Sequence, residues 1–171
     1  MALSIISLNV NGLRESSKRE GLLQWLRSLS VTVDVVFLQE THCTSDVECH
    51  SWFSFSGFSF VLSPGTRRSG GCIVLYRPVL TLVNYWCEVP GRSLMCEFSF
   101  HDATFCVLCL YAPNRNPARD LFFNSISVDA VDLLTLPSLR FCAVTSIRSS
   151  TVSLTVLAPP PMIRPERVLL P

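Results

Sequence analysis

Apolar positions along the chain change period several times, and each change marks an element. Residues 4–8 (Ser-Ile-Ile-Ser-Leu) form a short β-rich run that stops at Asn9, which predicts a strand. Over 17–29 the spacing becomes helical. Leu22, Leu23, Leu26 and Leu29 share a face behind a capping-box pattern, Ser17-x-x-Glu20. Residues 34–39 hold the unbroken apolar run Val35-Val36-Phe37-Leu38, as in a strand buried on both faces, and Glu40 follows its C-terminal end. Further strands are predicted over 58–62, 71–77, 80–87, 93–100 and 103–111, with a hairpin at His101-Asp102. Asn116 as N-cap and Pro117 at the first helical position predict a helix to about residue 130, with Leu121, Phe122 and Ile126 turned inward. Strands, a crossover helix and more strands indicate an α/β protein with a mixed sheet.

The pattern fails after Pro137. Residues 138–171 carry one acidic residue, Glu166, against Arg140, Arg148, Arg164 and Arg167, many Ser and Thr, and the run Pro159-Pro160-Pro161. The expectation is one domain over 1–137 and a disordered tail over 138–171. No internal repeat is visible.

Composition narrows the function. With 49% hydrophobic and 16% charged residues, the chain is more apolar than a typical globular protein at about 25% charge. A formal net charge of +1 is not that of a strongly basic nucleic-acid binder, so any such contact rests on local arginines. The N-terminus lacks the basic region of a signal peptide, and no apolar stretch approaches the ~18 residues of a membrane span. The chain is expected inside the cell, nuclear or cytoplasmic, with no membrane partner. Its eight cysteines then read as free thiols, several of them in the core. Cys106 and Cys109 sit in a strand-like run, where residues three apart face opposite ways. His42, Cys43, Cys49 and His50 are the better metal-type cluster, but their spacing matches no zinc finger.

Four segments stand beside predicted strands: Ser7-Leu8-Asn9-Val10-Asn11-Gly12-Leu13-Arg14, Phe37-Leu38-Gln39-Glu40-Thr41-His42, Ser69-Gly70-Gly71-Cys72-Ile73-Val74-Leu75-Tyr76 and Tyr111-Ala112-Pro113-Asn114. Singly, each has an ordinary reading: a solvated Glu, an Asn-Gly turn, a Gly-Gly hinge, a strand exit. In this order they resemble the endonuclease/exonuclease/phosphatase superfamily, most closely the endonuclease domains of LINE-type retrotransposons. The resemblance runs over about residues 3–136, including Arg115–Phe123. It implies a four-layer α/β sandwich, two packed mixed sheets with outer helices, of which this chain holds a truncated part. It also implies Mg²⁺-dependent hydrolysis of DNA phosphodiesters, a reaction that needs charge neutralised on the phosphate and an activated water. By this resemblance Glu40 holds the Mg²⁺, with Asn11 near it. Asn9 orients the site. Tyr111 and Asn114 contact the scissile phosphate, and Arg14 and Arg115 hold flanking phosphates. His42 reads as a loop residue.

The superfamily's later motifs, G-D-x-N and S-D-H, are absent: no Asp follows Asp132 and no His follows His101. The general base is missing with them, so the expected function is an endonuclease by family that is inactive in this chain. The alternative is a non-catalytic retroelement remnant with weak DNA or metal binding. A phosphatase acting on small phosphoesters is a weaker third reading. The codons for Phe141–Arg148, read from the third base of the Phe141 codon, permit the peptide Leu-Cys-Gly-Asp-Phe-Asn-Thr. A shifted reading frame would thus account for both the missing motif and the change in composition.

Overall fold

The computed structural model describes residues 3–101, 103–113, 115–134 and 153–157. Among these residues eight strands and three helices follow in the order β1 (Leu3–Asn9), α1 (Ser16–Ser28), β2 (Val35–Gln39), α2 (Asp46–Phe53), β3 (Ser59–Ser63), β4 (Cys72–Tyr76), β5 (Thr81–Trp86), β6 (Ser93–Phe100), β7 (Ala103–Leu110), α3 (Ala118–Leu134) and β8 (Ser153–Leu157).

A five-stranded sheet has the order β3-β4-β2-β1-β8, and a three-stranded sheet the order β5-β6-β7. The first is mixed: β1 and β2 are parallel, and the other pairings are antiparallel. Among the described residues the second is wholly antiparallel. Its strands follow one another through short connections, and antiparallel neighbours need no crossover.

Strand period builds the layers. Every residue of β2 is buried. Val35 and Phe37 face the second sheet, where they meet Leu94, Cys96, Phe98, Val107 and Cys109. Val36 and Leu38 face the other way, onto Leu26 of α1 and Cys49 and Phe53 of α2. Phe122 and Ile126 of α3 cover the outer face of the second sheet at Met95, Leu108 and Leu110. The result is helix, sheet, sheet, helix. A fully buried Phe or Leu contributes roughly 1.5–3 kcal/mol, and Phe37, Phe98, Leu38 and Leu94 lie among the largest fully buried side chains.

Local details differ from the sequence reading. α1 starts at Ser16 with Glu15 as an N-cap that makes no side-chain cap bond, so the Ser17/Glu20 box does not form. Instead the Arg19 guanidinium donates to the carbonyls of Leu13 and Arg14. Leu121 is 67% exposed while Phe122 and Ile126 are buried: a stripe at i and i+4 leaves i−1 about 100° away. In the stretch expected to be disordered, residues 153–157 pair with β1, Leu3 opposite Leu157 and Ser7 opposite Ser153. Ser-Leu-Thr-Val-Leu has strand-type composition, and it supplies β1 with a second neighbour. The rest of that stretch lies outside the described residues. The seven described cysteines are all free thiols, as expected, and all but Cys87 are buried. Among the described residues no helix is long and apolar enough to cross a membrane.

Candidate active site

Because β1 and β2 are parallel, they end at the same edge, with Asn9 opposite Gln39. Beyond that edge the chain continues to pair with itself. Val10 donates to Gln39 O, Gly12 to Glu40 O and Leu13 to Thr41 O. On the other side Thr41 donates to Gly71 O, His42 to Gly70 O and Gly71 to Gly91 O. Three of the four sequence segments are thus stitched edge to edge, with Glu40 in the middle. The fourth joins through the bond from Tyr111 N to Arg92 O at 2.7 Å.

The clamp holds unusual backbone. Asn11, Glu40 and His42 have φ of 45°, 53° and 59°, a left-handed conformation that non-glycine residues seldom adopt. Gly71 is at φ +88°, and a β-carbon there would stand 2.5 Å from Thr41 Oγ1. This is the physical content of the Gly-Gly motif: it lets the Glu40 segment approach the start of β4.

Three side chains converge on the Glu40 carboxylate. Asn9 Nδ2 lies 3.5 Å from Oε1. The Asn9 side-chain Oδ1 accepts the Asn11 N–H at 3.1 Å, which fixes which end of the amide faces Glu40. The Tyr111 phenol is pushed up to about 12 by burial first, then by its hydrogen bond with Glu40 and the charge of that carboxylate. At neutral pH the hydroxyl therefore keeps its proton and is a donor. His42 Nε2 lies 3.7 Å from Oε2. Beneath them, buried Gln39 donates to Ser7 Oγ at 3.0 Å and to Cys109 Sγ at 3.5 Å, tying the strand ends to the inter-sheet core.

Other residues from the sequence reading fall as follows. Asn11 is exposed at the turn, with its carbonyl accepting from Lys18 Nζ. Arg14 Nη1 pairs with Glu48 Oε1 at 2.7 Å and donates to His42 O. Arg115 is exposed just ahead of α3. Asn114 lies outside the described residues. The His42, Cys43, Cys49, His50 cluster does not assemble: Cys43 and Cys49 are buried in the outer core, and His50 is exposed near Phe60. Arg92, which the sequence reading missed, lies with its guanidinium 5.0 Å from the centre of the Tyr111 ring and donates to Tyr111 O. An Arg after a Pro-Gly turn carries no signal for such a role.

Among the described residues no group of three or more His, Cys, Asp or Glu is placed to hold a metal ion. That excludes a closed zinc-type site there. A single carboxylate with neutral oxygen and nitrogen neighbours fits a hard cation such as Mg²⁺, which keeps several waters and needs only one or two carboxylates.

The model of the Endonuclease/Exonuclease/phosphatase family matches residues 6–140. The chain belongs to this family. The "Transposon TX1 uncharacterized 149 kDa protein" of Xenopus laevis is 33% identical over 129 residues, covering 74% of this chain and 10% of that protein. A transposon relative agrees with the retrotransposon-type motifs. The fold is shared with the Xenopus laevis APE2 catalytic domain (TM-score 0.64, 21% identity, 84% of this chain and 57% of that one). It is shared also with D. rerio TDP2 complexed with single strand DNA product (TM-score 0.63, 18% identity, 86% and 62%). A third match is the endonuclease/exonuclease/phosphatase from Bacteroides vulgatus (TM-score 0.62, 10% identity, 85% and 65%). The chain spans about a tenth of the transposon relative and less than two thirds of each of these structures.

Proposed function

We propose that this chain supplies the cation- and phosphate-binding half of a Mg²⁺-dependent DNA endonuclease site of retrotransposon type. The observation that carries the reading is the convergence of the Asn9 amide and the Tyr111 phenol on the Glu40 carboxylate at the end of two parallel strands. Ligands of open α/β sheets bind at such carboxyl ends.

Glu40 would hold the Mg²⁺, with Asn11 beside it. When bound, the cation supplies charge neutralisation on the phosphate. Asn9 fixes the carboxylate. The protonated Tyr111 hydroxyl donates to a phosphate oxygen as negative charge develops there, and Asn114 acts on the same phosphate. Arg115, and Arg14 to the extent that Glu48 releases it, hold flanking phosphates. DNA as substrate is supported by the family and by the single strand DNA product complexed with the TDP2 relative. The transposon relative argues against a phosphatase of small phosphoesters.

The sequence contains neither G-D-x-N nor S-D-H, so no general base is identified for the water. This favours the second reading for the stretch by itself: weak binding of DNA and cation without efficient hydrolysis. Supercoiled plasmid incubated with the chain and Mg²⁺ distinguishes the two. We expect DNA binding by fluorescence anisotropy and no nicking above background. Nicking that disappears in Glu40→Ala would establish the chain as a complete enzyme. Absence of any DNA binding would remove the proposal.

A further inference from the structure

His42 has a position that its role as a loop residue does not explain. The Glu40-Thr41-His42 segment has left-handed backbone at both ends, which brings the side chains of residues 40 and 42 together. Its backbone is held on both flanks and at its last carbonyl: by Gly12 and Leu13, by Gly70 and Gly71, and by Arg14 on His42 O. The His42 side chain is only 15% exposed. One edge of the ring rests on Gly12, where a β-carbon would lie 2.9 Å from Nδ1 and 3.2 Å from Cε1. The other ring nitrogen, Nε2, faces Glu40. Nε2 has no solvent contact and no hydrogen-bond partner among the described residues, and Glu40 Oε2 lies 3.7 Å away. Buried ring nitrogens are ordinarily paired, because leaving one unpaired forfeits the water it lost.

We propose that His42 is a positioning residue for Glu40: its Nε2–H donates to Oε2 when the carboxylate takes up a divalent cation, while Asn9 holds Oε1. The 3.7 Å separation is a few tenths of an ångström beyond a hydrogen bond, within the reach of a carboxylate rotation. Gly12 belongs to the same device, since any side chain there would push the ring off its seat. The inference rests on the reading of Glu40 as the cation ligand. Hydrogen-bonding partners of ligating groups set their orientation, and losing one commonly weakens metal binding about 10- to 100-fold.

The test is the affinity of the full chain for Mn²⁺, read from the electron paramagnetic resonance signal of the free ion. Glu40→Gln should abolish binding. His42→Ala should weaken it about tenfold or more, and His42→Gln, whose amide can donate from a similar place, should recover most of the loss. Gly12→Ala should weaken binding as well, because it displaces the ring and strains a backbone held at φ +88°. Undiminished affinity in His42→Ala, with binding still lost in Glu40→Gln, overturns the positioning role and leaves the cation reading intact. Binding indifferent to Glu40 overturns both. A nitrogen NMR measurement on the unaltered chain needs no variant to fold: Nε2 should carry a proton and shift in Glu40→Gln, and an unprotonated Nε2 contradicts the proposal.

Discussion

Thr41 Oγ1 occupies the space that a side chain on Gly71 would need, at 2.5 Å from the position of its β-carbon. Gly71 also has a φ of +88° and receives the Thr41 N–H on its carbonyl. Gly71→Ala therefore combines left-handed strain with a clash against the segment that carries Glu40. We expect a loss of about 2 kcal/mol in urea unfolding and displaced amide resonances at Glu40 and Thr41. An unchanged midpoint would show that this approach is not under tension.

Tyr111 gives a pH signature. Folding raises its phenol to about 12, above the ordinary value near 10, so the folded state holds that proton more tightly than the unfolded chain does. The associated stability is intact below the unfolded value and is lost as pH rises towards 12. Near-ultraviolet titration of the three tyrosines should show late transitions from Tyr76, whose phenol burial also raises, and from Tyr111, and the Tyr111 transition should be missing in Tyr111→Phe. Glu40→Gln should move that transition down, leaving the part due to burial. A Tyr111 transition indifferent to Glu40 would separate the phenol from the carboxylate.

Arg14 and Arg115 should behave differently although both flank motifs. Arg14 bonds Glu48, whose other oxygen accepts Thr44 N–H and Oγ1 at 2.9 and 3.0 Å. Arg14→Ala should cost about 0.5–1 kcal/mol of stability. Arg115 is exposed, and Arg115→Ala should leave stability alone while lowering the salt slope of DNA binding by about one. The reverse pattern would exchange their roles.

Most strands were legible because burial on one or both faces leaves a period in the sequence: β2 is an unbroken apolar run and is fully buried. Helix α2 was not legible. Only Cys49 and Phe53 are buried in it, and Val47 is 82% exposed, so its apolar stripe is two residues long. Its start was nonetheless written in Ser45-x-x-Glu48, where Ser45 Oγ accepts the Glu48 N–H. The same pattern at Ser17 and Glu20 formed no cap, so the motif needs a chain that turns there. Of the residues gathered at the candidate site, Asn9, Glu40 and Tyr111 were singled out by their motifs. His42 and Arg92 were not, because their positions depend on left-handed backbone and on a contact between distant segments.

The tail carries a prediction about its coding DNA. The family match ends at residue 140, immediately before the codons that permit Leu-Cys-Gly-Asp-Phe-Asn-Thr in another frame. A frame change there requires third bases of T in Cys142, G in Ala143 and G in Val144, among others. Sequencing this stretch checks it directly, and a different base at any of these positions removes the idea.

We propose that Glu40 takes up a cation in a pocket that it shares with Asn9 and Tyr111. Paramagnetic broadening by substoichiometric Mn²⁺ in a proton–nitrogen NMR spectrum of the full chain tests it most directly. Amides of residues 9–12, 40–42 and 111 should fade together while those of β5 and α3 stay sharp, and Glu40→Gln should leave all of them sharp. Broadening centred elsewhere, or broadening that survives Glu40→Gln, would contradict the account.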